Sequence, residues 1–184
     1  MKYVLKVAVL AVILVSSVYG STYNTYYGQA SPIKAETPKV VLQEGTAGTS
    51  TIYANGTSAK VMVITKPLES TTFDHVLEVA NQVSDAWKIR LRAYDQSGLA
   101  RLYNCTIYFR DGAGVFRQIC VFEGTYSQEV GGWYDLGGSS TVYIAMTVTA
   151  RLRGTSHIYA FLEVLIPDTS TYNLMAIAFQ ITSR

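Results

Sequence analysis

The sequence predicts an all-β protein, a jelly-roll-type β-sandwich of about eight or nine strands with an extended N-terminal strand. Three observations indicate this fold. The chain has 184 residues, of which 49% are hydrophobic and only 15% are charged, and it is rich in the threonine, tyrosine, valine and isoleucine that favour pleated, half-buried surfaces. Short β-rich runs alternate with turn residues along the chain. Residues 86–95 alternate between apolar and polar side chains, which is typical of a strand with one buried face.

Residues 1–20 predict a secretory signal peptide. Lys2 and Lys6 precede an apolar run, and Gly20 stands before a plausible cleavage site at Ser21. The apolar run is shorter than the ~20 residues that a membrane-spanning helix needs, so cleavage is favoured over a retained anchor. We expect an extracellular mature chain, residues 21–184, with no membrane partner and enough length for one domain.

Charge argues against nucleic acid as a partner. The chain has 15 lysines and arginines against 13 acidic residues. Two of the lysines lie in the predicted signal peptide, so the mature chain is balanced. Nucleic-acid binding requires a basic face, and a neutral, weakly charged surface does not supply one.

The mature chain begins with an unusual segment, residues 21–31, which has alternating aromatic and polar residues but no local hairpin partner. Tyr23, Thr25 and Tyr27 are expected on one face of an extended strand, and Pro32 interrupts any ladder that continues from it. We therefore divide the mature chain into this strand with its linker, residues 21–37, and a β-sandwich domain, residues 38–184.

The sandwich domain contains the remaining predicted strands. They are residues 39–43, 59–65, 73–83 and 86–95, the two strands of a hairpin at 103–122, and residues 141–150, 157–166 and 172–182. The apolar pattern of residues 73–83 also fits a short helix, although a strand is favoured. In residues 86–95 the side chains expected to be buried are Trp87, Ile89, Leu91 and Ala93.

The two cysteines predict a disulfide across the hairpin. A glycine-rich loop joins its strands and places Arg110 opposite Val115. In that register Cys105 and Cys120 lie directly opposite one another, at a separation that a disulfide can bridge. The signal peptide and the even cysteine count favour this bond over two separate buried thiols.

No catalytic or metal-binding motif is recognisable, and no cofactor is expected. His75 and His157 lie on separate predicted strands, and Asp74 is expected to face away from its neighbour His75. We interpret both histidines as surface residues. Glu163 lies among apolar residues, which predicts a buried or paired acid.

Two further features concern carbohydrate. The stretch GGWYDLGG, residues 131–138, fits either an aromatic platform for sugar or, as we favour, a corner turn with Trp133 packed into a core. Asn55 and Asn104 begin sequons for N-linked glycans. Asn104 is expected to point away from the face formed by Tyr103, Ile107 and Phe109, and so toward solvent.

These features together resemble the archaeal extracellular filament proteins, the bundling pili and threads, which are similar in fold to the camelysin/TasA-like biofilm fibre proteins of bacteria. Three stretches carry the resemblance: STYNTYYGQASPIKAETPKVVL, WYDLGGSSTVYIAM and HIYAFLEVLIPDTSTYNLMAIAFQIT. Type IV pilins fit less well, because their long N-terminal helix remains in the mature protein.

The resemblance implies that the chain is a non-enzymatic filament subunit, which polymerises head to tail by donating its N-terminal strand to the next subunit. Adhesion or biofilm formation is the implied role. The implied donor residues are Ser21, Thr22, Tyr23, Asn24, Thr25, Tyr26, Tyr27 and Gly28. The main alternative is a monomeric secreted carbohydrate-binding sandwich with Trp133 and Tyr134 as its platform, and a hydrolase with an unrecognised site is less favoured.

Overall fold

The computed structural model describes residues 38–127, 132–165 and 172–184. The predicted signal peptide, donor strand and linker, residues 1–37, lie outside the described residues. Within these residues the chain forms twelve β-strands and two short 3-10 turns. The strands are β1 (Val40–Glu44), β2 (Thr49–Tyr53), β3 (Ser58–Thr65), β4 (Ser70–Asn81), β5 (Trp87–Ser97), β6 (Leu102–Arg110), β7 (Val115–Phe122), β8 (Thr125–Ser127), β9 (Tyr134–Leu136), β10 (Thr141–Ala150), β11 (Gly154–Leu165) and β12 (Tyr172–Ser183).

The strands form two six-stranded sheets that pack face to face. The first sheet has the order β1-β4-β10-β6-β7-β8, and the second has the order β2-β3-β12-β11-β5-β9. Neighbours are antiparallel except for β3 and β12, which are parallel. The predicted all-β sandwich is confirmed. The described strands outnumber the eight or nine predicted because β2, β8 and β9 are short and lie in segments that the sequence marks as turns or connectors.

The core lies between the sheets and is built by alternate residues of the long strands. On β5, Trp87, Ile89, Leu91 and Ala93 are buried as predicted. The largest fully buried side chains include Phe109, Phe179, Leu77, Ile144 and Met146. Burial of this apolar surface is the main stabilising contribution to the fold.

The ambiguous segment at residues 73–83 is a strand and belongs to β4. Leu77 pairs with Ile144 and Phe73 with Met146, so three residues of β4 bulge opposite one residue of β10. The bulge leaves the consecutive residues Val76 and Leu77 both fully buried. Two adjacent buried residues interrupt the two-residue alternation of a strand, and this explains the helix-like pattern in the sequence.

Candidate functional site: open strand edges and an aromatic cleft

The outermost strands are short and cover only part of the strands beside them. Among the described residues, β1 pairs with β4 only at Leu77–Asn81, which leaves Ser70–Asp74 without a strand on that side. Likewise β8 pairs with β7 only at Cys120–Phe122, and β9 pairs with β5 only at Trp87–Ile89. An unpaired strand edge presents backbone donors and acceptors to any further strand.

A cleft opens between the two sheets where no described strand pairs with the edge of β7. Its volume is about 320 Å³. We call it the aromatic cleft, and its lining residues are Val115, Phe116, Arg117, Gln118, Gly132, Trp133 and Tyr134. Phe116 pairs with the fully buried Phe109, yet its own side chain is 43% exposed. The hydrophobic core is therefore accessible from this edge.

Tyr134 forms one wall of the aromatic cleft, where its hydroxyl and its ring both contact neighbouring side chains. Its hydroxyl donates a 2.5 Å hydrogen bond to Asp111, whose carboxylate also accepts from the backbone N–H groups of Ala113 and Gly114. The bond from Tyr134 lowers the pKa of Asp111. Burial, followed by the contact with Asp111, raises the pKa of Tyr134. The ring of Phe116 meets Tyr134 edge-on at a centroid distance of 5.0 Å.

Trp133 forms another wall and stacks on a buried ion pair. The guanidinium of Arg90 lies 4.3 Å from the centroid of the Trp133 ring. Arg90 also pairs with Glu163, directly opposite it on β11, and the Glu163 side chain is only 4% exposed. Glu163 is thus a buried and paired acid, as the sequence predicted. Trp133 lies against the outer face of the second sheet and not in the core.

Gln118 forms the floor of the cleft and links the two sheets. Ile107 pairs with Ile119 and Tyr108 with Arg117, so Gln118 is an extra, bulged residue of β7. Its side-chain oxygen accepts a 2.9 Å hydrogen bond from the backbone N–H of Leu91 on β5. This side chain caps the edge of β5 beyond β9. Nothing local in the sequence indicated this role for Gln118 or the exposure of Phe116.

The predicted disulfide is not present, and the cause is the same bulge. Arg110 lies opposite Val115 as predicted, but the extra residue moves Thr106 opposite Cys120. Successive strand residues face opposite sides, so Cys105 points into the core while Cys120 is half-buried beside Thr106. Both thiols are free. Burial, with a smaller contribution from Cys120, raises the pKa of Cys105 to about 12.

The two sequons occupy different settings. The backbone of Asn55 lies in a 3-10 turn between β2 and β3, and its side chain is outside the described residues. Asn104 is half-buried on β6, between Thr149 and Phe122. The sequence predicted that Tyr103, Ile107 and Phe109 share one face of β6, and this was wrong for Tyr103. Tyr103 is 47% exposed, whereas Ile107 and Phe109 are buried. An irregularity in the pairing of β6 with β10 at this point separates them. Glycosylation at either site stays a prediction.

The two histidines lie in different sheets, and neither belongs to a metal-binding cluster of the described residues. His75 lies on β4 near Glu78 and Thr46, and His157 lies on β11 near Ser97, in the other sheet. Asp74 pairs with Arg110 and not with His75. Within the described ranges, no group of three or more histidine, cysteine or acidic side chains is positioned to hold a metal ion. In the same part of the chain, no helix has the length and apolarity required to cross a membrane.

No protein-family model matches this sequence, and no curated protein matches it. Among solved structures the chain is similar to the ASH/PapD-like domain of human CEP192, with 15% identity and a TM-score of 0.48 over 85% of this chain and 96% of that one. It is similar to the CooA pilin subunit of enterotoxigenic Escherichia coli, with 13% identity and a TM-score of 0.40 over 80% and 99% of the two chains. It is also similar to a family 123 glycoside hydrolase from Clostridium perfringens, with 8% identity and a TM-score of 0.42 over 80% of this chain and 28% of the enzyme. Similarity at this level carries no conclusion about function.

Proposed function

We propose that the protein is the structural subunit of an extracellular filament, a pilus or thread, that polymerises when the N-terminal strand of one subunit pairs with a sheet edge of the next. The observation that carries the proposal is the incomplete edge of each sheet. Long strands such as β4 and β7 continue past the short strands beside them, and no described strand pairs with the backbone groups beyond, which a further strand can use. No enzymatic activity belongs to this proposal.

The segment that precedes the sandwich suits the role of donor. Residues 21–31 have no charged side chain and contain Tyr23, Tyr26 and Tyr27. Eleven extended residues span roughly 36 Å at about 3.3 Å per residue, which is enough to cross a sandwich. Because donor and acceptor are different surfaces, the contact does not close on itself and generates a fibre. A place among archaeal cell-surface filaments, with a role in adhesion or biofilm formation, is part of the proposal.

We also propose N-linked glycans at Asn55 or Asn104. An intact mass equal to that of the bare mature chain would reject them.

A carbohydrate-binding protein is the second candidate, because Trp133 and Tyr134 both line the aromatic cleft. The geometry of these two rings favours a carbohydrate-binding function less than it favours a filament subunit. Tyr134 uses its hydroxyl on Asp111, Arg90 lies over the Trp133 ring, and Phe116 meets Tyr134 edge-on. These rings therefore do not form a flat, open platform for a sugar.

Deletion of residues 21–31 from the mature chain tests the proposal. We expect the parent chain to form fibres in negative-stain microscopy and the deleted chain to remain a folded monomer with an unchanged β-sheet circular dichroism spectrum. If the deletion impairs folding, the double variant Tyr23→Asp/Tyr27→Asp serves instead, since it places charge in an apolar groove without shortening the chain. Fibres from either variant would overturn the proposal, and glycan binding by the deleted chain would support the alternative.

A further inference from the structure

We infer that the open edge of β7 and the aromatic cleft beside it accept residues 21–31 of a second copy of this chain, with tyrosine rings entering the cleft. This inference rests on the proposed function, since it assigns the acceptor for the donor strand. Three observations select this acceptor from several open edges, and a fourth selects a second copy as the donor.

The edge of β5, across the cleft, is already occupied by a side chain. Gln118 accepts a hydrogen bond from the backbone N–H of Leu91. A strand that pairs there has to break this interaction. At Val115–Arg117 of β7, no described strand pairs with the outer backbone edge. An incoming strand therefore pairs with β7.

The opposite side of the sandwich is closed. There β1 contacts β2, so the two edge strands cover the gap between the sheets. Where β4 continues beyond β1, the hydroxyls of Thr65 and Thr71 are 2.9 Å apart and bridge the two sheets. The backbone edge at Ser70–Asp74 is open, but the side chains of an added strand would meet this bridge between the sheets.

The lining of the aromatic cleft complements the donor segment. Phe116, Trp133 and Tyr134 offer ring edges and faces to a further aromatic side chain, which adds to the energy of its burial. Arg117, which also lines the cleft, places a polar group within reach of a tyrosine hydroxyl. The side chains of residues 21–31 carry no charge, so their burial here leaves no unpaired charged side chain. Tyr23 and Tyr27, four residues apart, project from the same face of an extended strand.

The length of the linker favours a second copy over the same chain. Pro38 precedes β1, which is separated from β7 by β4, β10 and β6 in the first sheet. Four spacings of about 4.8 Å place β7 roughly 19 Å from β1. Residues 32–37 reach ~21 Å only when fully extended, which leaves no length for the turn needed to align residues 21–31 with their own β7. A neighbouring subunit has no such limit.

Photocrosslinking in a mixture of light and nitrogen-15-labelled mature chains tests the assignment. Benzoylphenylalanine replaces Phe116 in one variant and Tyr53, which is 51% exposed on β2 at the closed side, in the control. After irradiation of the fibres, we expect mixed-isotope crosslinks from position 116 to residues 21–31 and none from position 53. Crosslinks from 116 to residues 21–31 of the same chain only, or crosslinks of that segment to another edge, would overturn the assignment.

A pair of charge variants separates failure of the site from failure of the function. Phe116→Asp should abolish fibres while the subunit stays folded, and Tyr53→Asp should leave fibres intact. Fibres from the Phe116→Asp variant would overturn the acceptor assignment and leave the proposed function standing. Fibres from the chain lacking residues 21–31 would overturn both.

Discussion

The backbone N–H of Leu91 donates a 2.9 Å hydrogen bond to the side chain of Gln118, which belongs to the opposite sheet. Gln118 is only 3% exposed and is the residue that β7 contains in excess of β6. The pairing of β9 with β5 ends at Ile89. Among the described residues, no strand therefore pairs with Leu91 on the side of β5 that faces away from β11. One side chain thus satisfies a buried donor and protects the edge of β5.

The first prediction concerns this bond. Gln118→Leu should lower the free energy of unfolding by about 1–3 kcal/mol, because it leaves the N–H of Leu91 buried and unpaired. The control is Gln43→Leu, an exposed glutamine of β1, which should change stability by less than ~0.5 kcal/mol. Urea denaturation measures both. Equal losses in the two variants would contradict the capping role.

The second prediction concerns the ion pair beneath Trp133. Arg90→Met leaves the Glu163 carboxylate buried without its partner, and breaking a buried pair costs about 3–5 kcal/mol. We expect a loss toward the lower end of that range, because the Arg90 side chain is 31% exposed. Lys88→Met is the control, since Lys88 and Asp135 are 55% and 78% exposed, and such surface pairs contribute less than ~1 kcal/mol.

A double-mutant cycle completes this second test. Arg90→Met combined with Glu163→Met removes both charges, so it should be more stable than Arg90→Met alone. Additive losses from the two single variants would show that Arg90 and Glu163 are not coupled.

The local pattern of the sequence predicts the fold and parts of its register. Apolar and polar side chains alternate around Trp87 and Ile89 because one face of the sheet packs on the core. Any strand with one buried face shows this alternation. The hairpin register at Arg110 and Val115 follows from a short loop. The bulge at Gln118 is different, because its stabilising partner Leu91 lies on a strand 27 residues away in sequence.

The candidate site depends on contacts between residues that are distant in the sequence, such as that of Gln118 with Leu91. Arg90 and Glu163 are 73 residues apart in the chain, and neither the alternation of β5 nor that of β11 indicates that the two lie opposite one another. The disulfide prediction failed for the same reason, since one extra residue turns Cys120 away from Cys105. Sequence periodicity therefore predicts which faces are buried, and tertiary contacts decide the register that forms the cleft.

The third prediction follows from the pKa of Cys105, raised from 9.0 to about 12. At a pH below the pKa of the unfolded chain, the thiol keeps its proton in both states. At a pH between the two pKa values, the unfolded chain releases a proton that the folded chain retains. The free energy of unfolding therefore falls as pH rises, by at most ~1.4 kcal/mol per pH unit. In denaturation series from pH 8 to 11, Cys105→Ala should lose stability less steeply than the parent chain.

Cys120→Ala is the matched control for this pH dependence. Burial, and not the charge of Cys120, is the main cause of the raised pKa, so this variant should keep a slope close to that of the parent. Parallel curves for Cys105→Ala and the parent would contradict the prediction. The parent chain, unfolded in iodoacetamide without reductant, should also gain two carbamidomethyl groups, one for each free thiol. A chain that gains none contains the disulfide.

The last prediction concerns Gly45, which lies where the loop after β1 crosses the bulge of β4. The N–H of Ala47 donates a 2.8 Å hydrogen bond to the carbonyl of His75. This loop therefore bonds to β4 just beyond the residues that pair with β1. A β-carbon at Gly45 would overlap the backbone of His75 and Val76. Because backbone cannot move aside as a side-chain tip can, Gly45→Ala should cost about 1–3 kcal/mol, as overpacking does. It should also speed amide exchange at Val76 and Leu77. Gly112→Ala provides the control, since nothing lies within 4 Å of its added carbon, and equal stability of the two variants would show that the loop does not pack closely on the bulge.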